Sequence, residues 1–211
     1  MNRTGGKSPV DLDMSRLRRG IERGDVGRTR LSGLDRWAAV AIVLEPRADG
    51  GEIDVLLIRR AERIGDRWSG QMAFPGGQAE PNDADLLATA RRETKEEVGL
   101  DLAESCRLIG RLDDLQATAR GKLTNLGITP FVFELTVPRP RLRLGPEATE
   151  ALWAPLGRMA SGAIDSVIQN WIEGMRFELP AYDVEGRVVW GITYGILQNL
   201  FGRVEIGEGH G

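Results

Sequence analysis

Three glutamates with helical spacing are the residues of this sequence best suited to chemistry. Glu93, Glu96 and Glu97 lie at positions i, i+3 and i+4, a spacing that places their side chains on one face of a helix. Most acidic clusters on helices are solvated faces, and spacing alone leaves that alternative open. Hard divalent cations such as Mg²⁺ prefer oxygen ligands, and carboxylates on one rigid face meet that requirement. The pattern therefore indicates a metal site.

The element that must position these glutamates is a helix ending at Val98, with Gly99 as its stop. Either Asp83 or Asp85 can cap its N terminus. Another face of the helix has a largely apolar stripe, consisting of Leu87, Ala90, Thr94 and Val98. Because such a stripe packs on a core, it would fix the glutamates in space.

A glycine pair, Gly76 and Gly77, precedes this helix. Glycine lets the backbone approach a metal ion or a phosphate closely, and a carbonyl group of the pair can complete a coordination sphere. We interpret this turn as part of the same site.

The segment from Phe74 to Leu100 resembles the Nudix box. Phe74-Pro75-Gly76-Gly77 is followed by Arg92-Glu93-Thr94-Lys95-Glu96-Glu97-Val98-Gly99-Leu100, which is similar to the loop-helix-loop signature G-x5-E-x7-R-E-U-x-E-E-x-G-U, with U aliphatic. The resemblance implies an α/β fold of the Nudix type, an α/β/α sandwich around a mixed β-sheet. It also implies hydrolysis of a diphosphate linked to another moiety, with Mg²⁺ or Mn²⁺ as cofactor.

The same resemblance implies roles for individual residues. Glu93, Glu96 and Glu97 correspond to catalytic metal ligands, the Gly77 carbonyl to a further ligand, and Arg92 to the residue that orients the glutamates. By this analogy a metal-activated water attacks one phosphorus atom. Glu96, Glu97 or a glutamate outside the box takes the proton.

The box departs from the signature at two positions. Asp83 stands where a glutamate is usual, and eight residues rather than seven separate it from Arg92. The usual salt bridge to Arg92 could therefore be formed by Asp83 or by Glu80. Thr94 replaces an aliphatic residue, which a half-buried helix face should tolerate.

The segment before the box resembles that of coenzyme A pyrophosphatases, written L-L-T-x-T-S-A-x3-R-x3-G-x3-F-P-G-G. Leu56-Leu57, Gly70 and the Phe-Pro-Gly-Gly match it, whereas Ile58 to Arg60 occupy the region of its Thr and Ser positions and Arg67 precedes Gly70 by three residues rather than four. This resemblance implies a small-molecule diphosphate substrate, coenzyme A or an acyl-CoA, cleaved to 3′,5′-ADP and 4′-phosphopantetheine.

A substrate with several phosphates needs a compact cationic cluster. The candidates for substrate binding, which include one backbone position, are Arg59, Arg60, Arg63, Arg67 and Gly76. Because neighbours on a strand point to opposite faces, we expect only one of Arg59 and Arg60 to face the ligand. A loop is predicted from Pro146 to Leu156, and within it Glu150 is a candidate general base. Trp68 and Trp153 are candidates for stacking on adenine, with core packing as the alternative.

Composition limits the other function classes. The chain has 211 residues with 28 Lys and Arg against 31 Asp and Glu, a balance that argues against a non-specific nucleic-acid binder. One cysteine, Cys106, and one histidine, His210, exclude a disulfide framework and disfavour zinc or histidine catalysis. No apolar run approaches the about 20 residues of a membrane helix. We expect a cytoplasmic protein without membrane or nucleic-acid partners; its oligomeric state, a homodimer included, is left open.

Alternating helices and strands without a repeat or linker predict one α/β domain. We assign residues 36–204 to it, 1–35 to a mobile or loosely docked N-terminal arm, and 205–211 to a flexible tail. The predicted strands and closing helix are Trp37–Leu44, Ile53–Arg59, Arg107–Leu112, Ile128–Leu135, Ser166–Ile172, Arg176–Leu179 and the helix Trp190–Phe201.

Two other functions remain open at this point. The box specifies the chemistry and not the rest of the substrate, so ADP-ribose, dinucleotides or nucleoside triphosphates are alternatives. A non-catalytic, nucleotide-sensing domain is the second, and the presence of all three box glutamates with Arg92 argues against it.

Overall fold

A computed structural model describes residues 12–23, 31–47, 52–65, 68–119, 122–172 and 175–206. Among these residues, no helix has the length and apolar character needed to cross a membrane. The elements in chain order are α1 Met14–Arg23, β1 Arg36–Pro46, β2 Ile53–Arg60, β3 Met72–Ala73, β4 Gly76–Gln78, α2 Leu86–Val98, α3 Leu102–Ser105, β5 Cys106–Arg111, β6 Leu115–Ala119, β7 Lys122–Leu135, β8 Ala148–Pro155, α4 Leu156–Ala160, β9 Asp165–Ile172, β10 Met175–Val184, β11 Arg187–Trp190 and α5 Gly191–Ile206.

Strand β1 is at the centre of a mixed sheet with the order β3-β2-β1-β7-β5. It pairs in parallel with β7, and antiparallel with β2 and β4. Three further strands pair outside this order: β4 with β1, β6 with β7, and β8 with β2. The first two predicted strands thus pair antiparallel, as β1 and β2, and the mixed sheet with its helices confirms the α/β class.

The two faces of β1 belong to two cores because side chains alternate along a strand. Ile42 and Leu44 are buried on the α5 side, in a core that includes Leu200. Ala41 and Val43 are buried on the α2 side. Helices therefore cover both faces of the sheet, in the sandwich that the resemblance implies.

Helix α2 has the ends that its sequence predicts. The Asp85 carboxylate accepts a hydrogen bond from the Ala88 N–H at 2.7 Å, so Asp85 rather than Asp83 is the N-cap. Gly99 ends the helix in the left-handed region, with a φ of 70°. Thr94 is completely buried, and its hydroxyl donates to the Ala90 carbonyl at 2.7 Å, which satisfies the one polar group in the apolar stripe.

Part of the predicted arm packs on the domain. Leu17 and Ile21 of α1 are buried in the same core as α5. The two helices approach so closely that a Cβ at Gly20 would lie 2.6 Å from the Arg203 carbonyl oxygen. Residues 1–11 and 24–30 of the arm, and 207–211 of the tail, lie outside the described residues.

The loop predicted from Pro146 to Leu156 is wrong, because most of it is strand β8. This strand pairs antiparallel with β2, with Leu57 opposite Leu152. Strands β9, β10 and β11 form a separate antiparallel sheet. The first two correspond to predicted strands, whereas β11 was not expected from the sequence.

Candidate active site

Glu97 is the most deeply buried carboxylate of the α2 cluster. Its residue surface is 1% exposed, and its Oε2 accepts a hydrogen bond from the Gly76 N–H at 2.8 Å. Burial raises the pKa of Glu97 to about 8; the Gly76 N–H opposes this shift, and the nearby Glu93 charge adds to it. A charged carboxylate in such surroundings needs a compensating positive charge.

Glu93 lies against the backbone of the glycine pair. A Cβ at Gly77 would overlap the Glu93 carboxylate, and a Cβ at Gly76 would overlap the Ala39 carbonyl oxygen. Burial raises the pKa of Glu93, and the Arg92 guanidinium partly opposes that shift. A side chain at Gly76 would thus meet the backbone of β1, whereas one at Gly77 would meet only the end of the Glu93 side chain.

Arg92 is anchored on one side and holds two glutamates on the other. Its Nε and Nη2 each donate to an Asp83 carboxylate oxygen at 3.0 Å. Its Nη1 donates to Glu93 at 3.0 Å and to Glu96 at 3.1 Å. The hydrogen bonds from Arg92 hold the pKa of Asp83 well below its usual range.

The sequence left open whether Asp83 or Glu80 forms the salt bridge to Arg92, and in the structure Asp83 forms it. The Glu80 carboxylate is 3.8 Å from Arg92 Nη1, and its side chain is 61% exposed. The additional residue in the loop before α2 is compatible with a two-point contact between Asp83 and Arg92.

The donor set fits a hard divalent cation by its chemistry. Among the described residues, no group of three or more His, Cys, Asp or Glu side chains is arranged as a ready ligand shell. Glu93 and Glu96 face Arg92, while Glu97 accepts from Gly76. These three carboxylates and the Gly77 carbonyl are all oxygen donors, which suit Mg²⁺ or Mn²⁺. Because Glu97 is buried, its charged form also needs a positive charge nearby, which such a cation would supply.

A cavity of about 670 Å³ adjoins the glycine pair and Glu93. Its volume is in the range typical of small-molecule sites. Apolar residues from β1, β7 and α5 form much of its wall: Ala38, Val40, Leu126, Ile128, Ile192 and Ile196. The carboxylate cluster thus borders a space large enough for an organic substrate.

The candidate arginines do not all face this cavity. Arg60 and Arg63 line it, and Arg63 Nη1 is 3.1 Å from a Glu147 carboxylate oxygen. Arg59 instead forms an ion pair with Glu150 at 3.2 Å. Arg67 lies outside the described residues.

Glu150, which is on strand β8, contacts two arginine side chains from other strands. Arg187 Nε donates to it at 2.6 Å, and Arg59 Nε donates at 3.2 Å. The hydrogen bond from Arg187 and that from Arg59 lower the pKa of Glu150, which makes it a weak base. Glu147 of the same segment lines the cavity, and its charge contributes to the raised pKa of both Glu93 and Glu97.

The two tryptophans differ in their surroundings. Trp68 lines the cavity. Trp153 is on β8, where it packs against the α2-side core, and the Arg139 guanidinium lies 5.1 Å from its ring centroid. A cation–π contact of this kind accounts for Trp153 without a ligand.

Comparison with known proteins adds three relevant similarities. A model of the NUDIX domain matches residues 35–173. The chain is 30% identical over 175 residues to an uncharacterized Nudix hydrolase, NudL, of Yersinia pestis, covering 83% of each chain. It is 46% identical over 105 residues to an uncharacterized protein of Schizosaccharomyces pombe, covering 48% of this chain and only 32% of that protein.

A solved structure is similar over most of the chain. It is that of a MutT/nudix family protein from Enterococcus faecalis, with a TM-score of 0.52 and 16% identity. The similarity covers 92% of this chain and 75% of that chain. At this identity the similarity concerns the fold.

Proposed function

The chain belongs to the Nudix family and is a Nudix pyrophosphohydrolase, and from this premise we propose that its substrate is coenzyme A or an acyl-CoA. The products would be 3′,5′-ADP and 4′-phosphopantetheine. The observation that supports hydrolysis most directly is the position of Glu97, which is buried beside the glycine pair at the edge of a substrate-sized cavity. A cytoplasmic location stays a prediction from the sequence.

The cavity has a cationic part and an apolar part, and both support this substrate class. Arg60 and Arg63 supply positive charge near the box carboxylates. Ile192 and Ile196 of α5 supply apolar surface. A polyanionic nucleotide joined to an uncharged arm has matching parts, since guanidinium groups bind phosphate oxygens and apolar surface favours an uncharged chain.

The box residues would hold the cation, and the rest of the site would position the diphosphate. Glu93, Glu96, Glu97 and the Gly77 carbonyl are the proposed ligands of Mg²⁺ or Mn²⁺. When bound, the cation would neutralise charge on the diphosphate and make water a better nucleophile. Arg92 keeps Glu93 and Glu96 on the same side of α2 through its two contacts. Arg60 and Arg63 would bind phosphate oxygens.

A carboxylate must take the proton of the attacking water. Glu96 and Glu97 are the proposed acceptors within the box, and Glu147 is a third because it lines the cavity. Glu150 is the least favoured, since its two arginine contacts stabilise its charged form.

A product assay by mass-resolved chromatography tests the proposed substrate. Purified protein with Mg²⁺ or Mn²⁺ is incubated in parallel with coenzyme A, ADP-ribose, NADH and a diadenosine polyphosphate. We expect 3′,5′-ADP from coenzyme A at a rate well above that of the other cleavages. Faster cleavage of another diphosphate would overturn the substrate and keep the reaction class.

The substitution Glu97→Gln tests the enzyme against the sensing domain. It removes a charged oxygen donor while preserving shape, so turnover should fall at least about a hundredfold. Glu104→Gln on α3, an exposed glutamate outside the cavity, is the matched control and should retain full activity. Nucleotide binding without turnover in the wild-type protein would instead indicate a sensor.

A further inference from the structure

Arg36 lines the active-site cavity, as Arg60 and Arg63 do. It begins β1, whereas Arg60 ends β2. The Arg60 N–H donates to the Gln71 carbonyl at 3.0 Å, and the Arg36 side chain contacts Gln78, which directly follows the glycine pair. The cavity therefore has cationic side chains at more than one point of its wall.

A neutral group holds the Arg36 guanidinium in place. Its Nε and Nη2 donate to the Gln78 side-chain oxygen at 3.2 and 2.7 Å. Among the ion pairs found between described residues, none includes Arg36, whereas Arg63 is paired with Glu147 and Arg92 with Asp83. Arg36 is thus oriented without being neutralised by those contacts.

Two acidic groups, one next to Arg36 in sequence and one that also lines the cavity, have other contacts. Asp35 precedes it, and its carboxylate accepts a hydrogen bond from the Asn125 side chain. Glu80 also lines the cavity, and its carboxylate is 3.8 Å from Arg92. Three N–H hydrogens of the Arg36 guanidinium are left after the two bonds to Gln78, since arginine has five.

A flat apolar floor joins Arg36 to the glycine pair. Alternate residues of β1, namely Arg36, Ala38 and Val40, line the cavity. On the adjacent strand β7, Leu126 is opposite Arg36 and Ile128 is opposite Ala38. Gly77 pairs with Ala39, three residues from Arg36, which is about 10 Å at the rise of an extended strand.

We propose that Arg36 and Gln78 form a second anion subsite, which binds a phosphomonoester on the nucleotide half of the substrate. The proposal rests on the proposed function, because it places the scissile diphosphate at Glu93 and Gly77. The sugar and base would lie on the apolar floor, and the remote phosphate would meet the guanidinium. Guanidinium groups bind phosphate by charge-assisted, often bidentate hydrogen bonds. The subsite makes the enzyme prefer nucleotides with this additional phosphate.

Binding without metal tests the subsite independently of turnover. Isothermal titration compares 3′,5′-ADP with 5′-AMP, which lacks the 3′-phosphate. Arg36→Gln should weaken 3′,5′-ADP binding at least about tenfold and 5′-AMP binding less than about twofold. Arg36→Lys should restore part of the loss, since it keeps the charge. Gln78→Glu should reproduce the loss, because it places a carboxylate against Arg36.

Arg176→Gln is the matched control. The Arg176 guanidinium, on β10, also donates to a glutamine side chain, that of Gln169 on β9, and neither residue lines the cavity. This variant should bind both nucleotides as the wild type does. Arg36 is exposed at the start of β1, so the thermal midpoint of Arg36→Gln should match that of the wild type.

Turnover on two substrate pairs separates this proposal from the proposed function. The pairs are coenzyme A with dephospho-coenzyme A, and NADPH with NADH. Arg36→Gln should lower kcat/KM for the phosphorylated member of a hydrolysed pair only. Equal effects on 3′,5′-ADP and 5′-AMP, or none, would overturn the subsite. Discrimination between these nucleotides without hydrolysis of coenzyme A would keep the subsite and overturn the substrate.

Discussion

At the residue scale, the Glu93 side chain uses the space left by the missing side chain of Gly77. The Glu93 carboxylate occupies the position that a side chain on Gly77 would take. Gly77 does not have a positive φ. Glycine is therefore needed at this position because of the limited space and not because of backbone strain. The placement of Glu93, one of the proposed metal ligands, therefore depends on the absence of a side chain at Gly77 of β4.

Gly77→Ala should disable the site while preserving the fold. The added methyl group meets the flexible end of the Glu93 side chain, which can move aside. Displacing a positioned group by about 1 Å can cost about a hundredfold in rate, so kcat/KM should fall tenfold to a hundredfold. Steady-state kinetics measure this, and thermal unfolding checks the fold.

Gly157→Ala is the control for this substitution. Gly157 is in α4, has no atom within 4 Å of an added Cβ, and does not have a positive φ. Its activity should equal that of the wild type. Wild-type kinetics in Gly77→Ala would show that the position of the Glu93 carboxylate is not critical.

Sequence reasoning reached the residues that are linked by local spacing. Glu93, Glu96 and Arg92 lie within one helical turn, so helix geometry alone brings them together. Arg36 is joined to Gln78 through the pairing of β1 with β4, 42 positions apart in sequence. No local pattern encodes that register, which is why the sequence did not identify Arg36.

At the element scale, α1 depends on tertiary contacts. It has 10 residues, fewer than an isolated helix needs for stability in water. Leu17 is completely buried, and Arg18 forms an ion pair with Glu134 of β7. The helix therefore forms by packing against the domain, with contacts to α5 and β5.

Leu17→Ala should lower the free energy of unfolding by about 2–5 kcal/mol, because it removes a completely buried side chain. Denaturant unfolding measures this change. Glu22→Ala on the exposed face of α1 is the control, with an expected change within about 0.5 kcal/mol. Equal stability of the two variants would show that α1 contributes little to the folded state.

The error at β8 also belongs to this scale. The predicted loop contains two prolines, yet Pro155 is the last residue of the strand and Pro146 lies before it. Proline is tolerated at strand ends and at sheet edges, so its presence near a segment is weak evidence against a strand. The pairing of β8 with β2 is a non-local contact that neither proline reveals.

At the scale of the whole molecule, two weak acids, the partly buried Cys106 and the buried Tyr182, should lower stability at alkaline pH. Burial raises the pKa of the Cys106 thiol to about 12 and also raises that of the Tyr182 hydroxyl. Both groups are therefore neutral in the folded state at pH values where the unfolded chain ionises. Their stabilising contribution is complete below the ordinary pKa of each group and is lost as the pH rises toward the folded value.

Wild-type stability should accordingly decline above pH 9, the ordinary pKa of a cysteine thiol. One proton of difference gives a slope of up to about 1.4 kcal/mol per pH unit. Denaturant unfolding between pH 8 and pH 11 measures the slope in the wild type and in Cys106→Ala. The variant should show the shallower decline, and identical slopes would contradict a thiol that stays neutral in the folded state.

Strand β1 connects the glycine turn, the apolar floor and the end of the cavity in one register. Deleting or inserting a single residue within it would exchange its two faces, turning Arg36 and Ala38 away from the cavity and Ala39 toward it. Substitutions that keep the length of β1 are therefore the changes that preserve the site. New substrate preferences would arise more readily from substitutions of cavity residues outside β1, such as Ile192 and Ile196 of α5, which leave this register intact.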